Sequence, residues 1–257
     1  MPPLILLQQR YDSPDPARQA ELQEARAANA ACAVFRHVEA VDGAARRWTF
    51  ADLFALAAER FPGNVCVIAN SDISFDSGLE ALRPLVRPGV LAALTRWDDG
   101  TAPSMEGRVD PATWRFYSHS QDAWAFVAGG LPVFPADFRL GIPCCENRLA
   151  YEAAAAGVIV VDPALSIRTR HHHATNVRTW THRDTYEGPF FFPRLTTIDT
   201  GRPEGIVLDR RRGKLEFVAE LTGWSSDLAA SERRARERRR QAPVKLGIRS
   251  PIYVRGR

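Results

Sequence analysis

Short runs that are apolar at every position constrain the fold of this chain more than any other feature. The clearest are Val65–Ala69 and Val158–Val161. Because strand side chains alternate between two faces, such runs are buried on both sides and are typical of parallel or mixed sheets covered by helices. Helical segments at residues 14–31 and Glu146–Ala156 alternate with runs of this kind, the first of which is Leu4–Gln8. The pattern predicts an α/β fold with three layers, α/β/α, around a mixed, Rossmann-like sheet.

Basic residues are concentrated near the C-terminus. Residues 201–257 carry 15 Lys and Arg against 7 Asp and Glu, whereas residues 1–200 carry 19 against 23. A nucleic-acid-binding core would carry a basic stripe of its own, which argues against nucleic acid as a partner. We therefore predict an α/β domain over residues 1–185 and a basic C-terminal extension over residues 186–257.

The extension is predicted to contain a hairpin and a helix. Ile206–Leu208 and Leu215–Val218 flank a turn and are typical of a hairpin. Ser226–Gln241 is predicted to be a helix rich in arginine, which is either a solvated face or a contact to an acidic membrane surface. The chain has no run of about 18 apolar residues and no CxxC pair among its four cysteines. We expect a cytoplasmic protein that touches the membrane peripherally, if at all.

Polar residues follow the buried strand Val65–Ala69 directly, as Asn70-Ser71-Asp72. Ligands of open α/β sheets bind outside the carboxyl ends of the strands. A carboxylate at this position suits a divalent cation that holds a pyrophosphate. In the alternative interpretation, Asp72 caps the helix that follows.

Three consecutive histidines follow the strand Val158–Val161, at His171, His172 and His173. In an extended segment His171 and His173 face one way and His172 the other, so the first and third can reach one metal ion. The alternative is a polar cluster at the surface.

Two further carboxylates are candidate general bases. Glu146 opens a predicted helix, where the helix dipole favours its ionised form. Asp122 lies close to Trp124, and a ring beside a carboxylate is typical of sugar sites. Asp98-Asp99 is interpreted as part of a loop turn. The chain contains neither GxGxxG nor GxxxxGK, so the common dinucleotide and P-loop sites are not supported.

Taken in order, these features resemble a nucleotide-sugar glycosyltransferase of the GT-A type. The N-terminal strand and helix span Leu4–Ala31, and the acidic motif after Val65–Ala69 resembles DxD. The carboxylate that opens a helix at Glu146 and the segment Gly157–Pro163 are similar to the late acidic region of inverting enzymes. A histidine follows, within His171–His173, where GT-A enzymes often place a metal ligand. The chain departs from the family pattern at Asn70, which stands in place of the first carboxylate.

The resemblance implies a metal-dependent transfer of a sugar from a nucleotide-diphosphate donor to a hydroxyl of a glycan, polysaccharide or lipid-linked acceptor. Asp72, with His171 or His173, would bind Mn²⁺ or Mg²⁺. Glu146, or else Asp122, would act as the base in an inverting displacement. Donor and acceptor contacts are expected at Arg10, Tyr11, Asn70, Ser71, Asp72, Trp124, Arg148 and Arg178.

The missing carboxylates leave two alternatives open. The acidic pair of the family is reduced here to Cys145-Glu146, which carries a single carboxylate. A GT-A-like domain that binds without catalysing is one alternative. A metal-dependent hydrolase that uses the histidines and Asp72 is the other.

Overall fold

The computed structural model describes residues 4–98, 103–104, 120–175, 177–178, 180–181, 184–199, 204–211 and 214–221. These residues form three α-helices, one 3-10 helix and eleven strands. The helices are α1 (Pro16–Ala31), α2 (Phe50–Arg60), α3 (Cys145–Ala155) and the 3-10 helix Ser77–Leu82. The strands are β1 (Leu4–Arg10), β2 (Phe35–Asp42), β3 (Val65–Ala69), β4 (Ile73–Phe75), β5 (Val90–Thr95), β6 (Gln121–Val127), β7 (Ile159–Val161), β8 (Thr169–His171), β9 (Phe190–Pro193), β10 (Gly205–Arg211) and β11 (Lys214–Leu221).

Six strands form one mixed sheet in the order β2-β1-β3-β6-β5-β7. Strand β1 is parallel to β2 and β3, and β5 is parallel to β7. Strand β6 runs antiparallel to both of its neighbours, β3 and β5. The α/β class and the mixed sheet predicted from the apolar runs are therefore confirmed, and the arrangement is consistent with a Rossmann-like fold.

Both faces of this sheet are covered, as the apolar runs require. Along β1, Ile5 and Leu7 pack with residues of α2 and α3, whereas Leu4 and Leu6 pack in a second cluster that includes Leu79 of the 3-10 helix. Helix α1 contacts β4, which contributes to the second cluster. The alternation of side chains along each strand thus divides the core into two halves.

Local signals place the helix starts. Thr49 accepts a hydrogen bond from the N–H of Asp52, and the Asp52 carboxylate accepts one from the N–H of Thr49, so that α2 begins with a capping box. Asp15 caps α1 by accepting from the N–H of Arg18, and Pro16 occupies the first turn.

The segment after residue 185 forms a second sheet, in the order β11-β10-β9. Strands β10 and β11 pair in antiparallel fashion, which confirms the predicted hairpin. Phe191 of β9 and Val207 of β10 are buried in the same cluster as the residues of α3. The beginning of the predicted extension therefore contributes to the core of the α/β domain. The predicted helix Ser226–Gln241 lies outside the described residues, and none of the described helices is long and apolar enough to cross a membrane.

Candidate metal centre and acid–base site

The ends of three neighbouring strands meet at one edge of the large sheet. Strands β3 and β5 end there, and β6 begins there because it runs in the opposite direction; Ala69 pairs with Ala123, and Thr95 with Gln121. Asp72 and Asp98 lie just beyond the ends of β3 and β5, and Asp122 is the second residue of β6. The edge at which open α/β sheets bind ligands is therefore also the edge at which this chain gathers carboxylates.

A small two-stranded sheet brings the histidines to Asp72. Strand β4 pairs with β8, so that Ile73 lies opposite His171. The N–H of His172 donates to the carbonyl of Asp72 at 2.8 Å, which continues the contact beyond the paired residues. Residues about 100 positions apart in the chain are thereby held side by side through their backbones.

Asp72, His171 and His173 form a cluster of metal-ligand type. His171 Nε2 lies 3.5 Å and His173 Nδ1 lies 3.4 Å from Asp72 Oδ2. One ligand atom from each residue falls within 4.8 Å of the other two. The ring of His172 faces away, with its Nε2 2.7 Å from Ser74 Oγ. The alternation predicted for the three histidines is confirmed, and His171 and His173 are too buried to form a surface cluster.

The spacing of these atoms fits a divalent cation. Two ligand atoms bound at about 2.1 Å and separated by the tetrahedral angle lie about 3.4 Å apart. The two nitrogen-to-oxygen distances match this value. Imidazole nitrogens are poor ligands for Mg²⁺, which prefers oxygen, and better ligands for Mn²⁺ or Zn²⁺. The residues therefore fit a transition-metal ion better than Mg²⁺.

Arg18 of α1 lies buried against this cluster. Its guanidinium donates to Asp72 Oδ2, to Glu21 Oε2 at 2.8 Å and to the carbonyl of His172 at 3.0 Å. Glu21 in turn accepts from the N–H groups of Ala174 and Thr175, both at 2.7 Å. Two residues one turn apart on α1 therefore hold both the carboxylate and the segment that carries the histidines.

The electrostatics of the cluster favour charged side chains despite burial. Burial alone would raise the pKa of Asp72, but hydrogen bonds from His171 and His173 and the charges of His171 and Arg18 lower it well below the ordinary value. Burial alone would lower the pKa of His171, but Asp72 and Asp98 raise it to about 9. In the arrangement described, without a bound metal ion, Asp72 is an ionised carboxylate beside the positive charges of Arg18 and His171.

A chain of ion pairs runs from the cluster to Asp122. His171 Nδ1 lies 2.8 Å from Asp98 Oδ1. Arg96 donates from Nε to that same oxygen at 2.9 Å and from Nη1 to Asp122 Oδ2 at 3.0 Å. Asn70 donates its side-chain N–H to the other oxygen of Asp122. Asp98, interpreted from the sequence as part of a loop turn, therefore belongs to the site.

Glu146 lies at the first turn of α3, near Asp122. Burial and the negative charge of Asp122 raise the pKa of Glu146 to about 8, although its own backbone N–H opposes the shift. Cys144, the residue before α3, has a left-handed backbone with φ of 68° and caps the helix without a side-chain hydrogen bond. A carboxyl group whose pKa lies near neutrality can take up and release a proton during turnover.

Other predicted site residues are engaged by the protein itself. Asp72 does not cap a helix, because Asp76 caps the 3-10 helix by accepting from the N–H of Gly78. The hydroxyl of Ser71 donates to the carbonyl of Gln9. Arg148 forms an ion pair with Glu152 one turn along α3.

The remaining predicted contacts lie around the first strand and the histidine segment. Arg10 ends β1, and the carbonyl of Tyr11, the next residue, accepts from Arg26. Burial alone would lower the pKa of Arg18, but Asp72 and Glu21 raise it. A hydrogen bond with the side chain of Tyr11 adds a smaller effect in the same direction. Arg178 Nη1 lies 2.8 Å from His173 Nε2. Tyr11 and Arg178 therefore border the cluster.

The prediction that Trp124 stacks on a sugar is wrong. Its side chain is 1 % exposed and packs edge-to-face on Phe50, with 4.5 Å between the ring centroids. Asp122 and Trp124 are both on β6, but the ring points into the core between the sheet and α2. A ring in this position has no free face to offer a ligand.

Sequence reasoning missed Arg18 and the residues that hold the Asp72 turn. Gln8 donates from its side chain to the carbonyls of Asn70 and Ile73 at 2.9 and 3.1 Å. Asn29 donates to the carbonyl of Ile73 at 2.8 Å. The position of these residues in the sequence could have revealed their role. Arg18 and Asn29 lie on the buried stripe of α1, together with Leu22 and Ala25. Gln8 continues the apolar strand β1. A polar residue at a buried position requires a partner.

Comparison with protein-family models, with curated proteins and with solved structures finds no match to this chain.

Proposed function

We propose that this protein is a metal-dependent glycosyltransferase of the GT-A type, which moves a sugar from a nucleotide-diphosphate donor to a hydroxyl acceptor. One observation carries the proposal. The Asp72, His171 and His173 cluster and the Asp122 and Glu146 carboxylates lie at the same edge of a mixed α/β sheet. A leaving-group site and a proton acceptor are therefore available side by side.

Asp72, His171 and His173 would hold the metal, for which Mn²⁺ is the better of the two ions expected from the resemblance. When bound, the ion supplies Lewis-acid stabilisation to the diphosphate that leaves. Arg18 keeps Asp72 ionised and in place through its buried contact. Arg178 and Tyr11 border the cluster and are suited to contacts with phosphate and nucleotide.

Glu146 is proposed as the residue that takes the proton from the acceptor hydroxyl, with Asp122 as its partner. A base is most effective when its pKa lies near the working pH. With a pKa of about 8, Glu146 is a stronger proton acceptor than an ordinary carboxylate, and it is only partly ionised at pH 7. Direct attack of the acceptor would invert the anomeric centre.

The substrate classes and the cellular setting complete the proposal. The donor would be a nucleoside-diphosphate sugar, and the acceptor a glycan, a polysaccharide or a lipid-linked sugar. We place the protein in the cytoplasm, with a peripheral membrane contact through the arginine-rich C-terminal segment.

Deleting residues 225–257 should weaken binding to vesicles that contain anionic lipid, and unchanged partitioning would exclude that contact.

One observation favours a hydrolase as a second candidate. Two imidazoles and one carboxylate at near-tetrahedral spacing are also the ligand set of catalytic zinc sites, which activate a water molecule. Glu146 would then act on that water. A hydrolase would release product without a nucleotide donor, whereas a transferase requires one.

The test combines ligand binding with product analysis. Thermal unfolding is measured with UDP, GDP, CMP and dTDP, each with Mn²⁺ or with EDTA, because ligands that bind the folded state stabilise it. A metal-dependent shift for one nucleotide supports the transferase. A shift with metal alone favours the hydrolase, and no shift at all favours a binding domain without activity.

A matched pair of variants links any such shift to the site. His173→Ala removes a proposed ligand, and the shift should disappear. His37→Ala removes a half-exposed histidine of β2 that pairs with Glu39, and the shift should persist. Equal behaviour of the two variants would contradict the proposed metal centre.

A further inference from the structure

A carboxylate outside the proposed ligand set contacts one of the ligands. Asp98 Oδ1 lies 2.8 Å from Nδ1 of His171, on the opposite side of the ring from Nε2. Nε2 is the atom that faces Asp72, at 3.5 Å. The two nitrogens of one imidazole are thus directed at two different carboxylates.

The contact determines which nitrogen can bind a metal. Both carboxylates can only accept a hydrogen bond, but Asp98 lies closer to its nitrogen, at 2.8 Å against 3.5 Å for Asp72, so the proton of a neutral His171 resides on Nδ1. The lone pair is then on Nε2, where the ligand set of Asp72 and His173 needs it. Proteins commonly orient metal-bound histidines with a carboxylate in this way.

Asp98 is itself held in position. Arg96 donates from Nε to the same oxygen, at 2.9 Å, and its Nη1 reaches Asp122 at 3.0 Å. The backbone of His171 is fixed separately, because its N–H donates to the carbonyl of Trp97 at 3.0 Å and β8 pairs with β4. The backbone of His171 is thus fixed by other contacts. The contact with the Asp98 side chain therefore acts on the orientation of the imidazole ring.

We expect this carboxylate to contribute little to the stability of the fold. The side chain of Asp98 is 44 % exposed, and exposed ion pairs contribute little to stability. The ring of His171 is only 10 % exposed, so this contact joins a carboxylate at the surface to a buried imidazole. A role in stability alone does not explain why this exposed carboxylate is directed at the outer nitrogen of His171.

We infer that Asp98 is a positioning residue of the metal centre, which orients His171 for coordination through Nε2. The inference rests on the metal site of the proposed function, and it holds equally for a transferase and for a hydrolase. It adds to the site a residue from the end of β5, beyond the three ligands. Arg96, through Asp98 and Asp122, links this residue to the acid–base half of the site.

The test measures metal affinity directly. Mn²⁺ and Zn²⁺ are titrated into the full chain by calorimetry, and Mn²⁺ also by electron paramagnetic resonance of the free ion. Asp98→Ala should weaken binding about 10- to 100-fold, which is the usual effect of losing such a partner. Asp98→Asn keeps an oxygen that can accept from Nδ1, so its affinity should fall between those of Asp98→Ala and the unaltered protein.

Two controls separate orientation from folding. Asp137→Ala, at an exposed residue of the segment that leads to α3, should bind both metals as the unaltered protein does. The thermal midpoint of Asp98→Ala in EDTA should equal that of the unaltered protein, whereas its rise on addition of Mn²⁺ should be smaller.

Each outcome decides between the claims. Equal affinity of Asp98→Ala and the unaltered protein would overturn the role of Asp98 and leave the metal centre standing. Absence of binding by the unaltered protein would overturn both. A lower midpoint of Asp98→Ala in EDTA, with an unchanged response to Mn²⁺, would show that Asp98 serves the fold instead.

Discussion

The buried ion pair between Arg18 and Asp72 allows a prediction about stability. The predicted effect differs between the metal-free and the metal-bound protein. Their side chains are only 5 % and 10 % exposed. Arg18→Met keeps most of the apolar volume but removes the positive charge, so Asp72 remains buried with only the histidines as cationic partners. Breaking a buried pair in this way costs about 3–5 kcal/mol. We expect a loss of that size in the free energy of unfolding of the metal-free protein.

Two additions to this experiment test the cause. Asp72→Asn in the same chain removes the uncompensated charge, so the double variant should be more stable than Arg18→Met alone. In a double-mutant cycle the coupling between the two residues should be about 1–3 kcal/mol. Mn²⁺ at about 100 times its dissociation constant would stabilise Arg18→Met by about 2.7 kcal/mol, because the ion binds only the folded state.

The assay is urea unfolding followed by tryptophan fluorescence, in EDTA and in Mn²⁺. The slope of free energy against urea should be the same for all variants, so that the midpoints report stability. A loss below about 1 kcal/mol for Arg18→Met, or a double variant no more stable than the single one, would refute the reasoning. Asp72 would then be stabilised mainly by the histidines.

Three further predictions concern other parts of the site and the core. Glu146→Gln should bind donor and metal normally but lose most of the turnover. The residual rate should lack the rise that the unaltered protein shows as pH approaches about 8; a retained rise would exclude Glu146 as the base. Burial raises the pKa of Asp162 to about 7, so the folded state holds a proton that the unfolded state releases above about 4. Stability should therefore fall as pH rises from about 4 to about 7, and Asp162→Asn should flatten that dependence in urea unfolding at pH 5 and pH 8; an unchanged slope would count against it. His172→Ala should keep metal affinity, since that ring faces Ser74, whereas His173→Ala should lose it; calorimetric titration of both variants decides the matter.

The part of the fold that follows from local pattern was predictable from the sequence. Continuous apolar runs indicated strands buried on both faces, and Val65–Ala69 forms one of them with the predicted bounds. Thr49 and Asp52, three residues apart in the sequence, form the capping box at the start of α2. The antiparallel direction of β6 was not predictable, since its apolar composition is equally suited to either direction.

The candidate site was predictable where one short segment carries the signal. Alternation in an extended chain correctly separated His172 from His171 and His173. It failed where partners come from distant segments. The guanidinium of Arg18 and the carbonyl of His172 are 154 residues apart in the chain. The prediction for Trp124 was wrong for a different reason. The spacing of a carboxylate and a ring two residues apart does not show how deeply the ring is buried in the core.

The long separation between the members of the cluster also determines when it can form during folding. Contact between Asp72 and His173 closes a loop of about 100 residues. Closing a loop of that length lowers the entropy of the chain before any contact stabilises it. The clamp from α1 to the histidine segment spans a still longer stretch. A nascent or partly folded chain would therefore lack the cluster until the segment with the histidines has docked on α1 and β4. Metal uptake would then be a late event, and the bound ion would act as a cross-link that slows the opening of the whole domain.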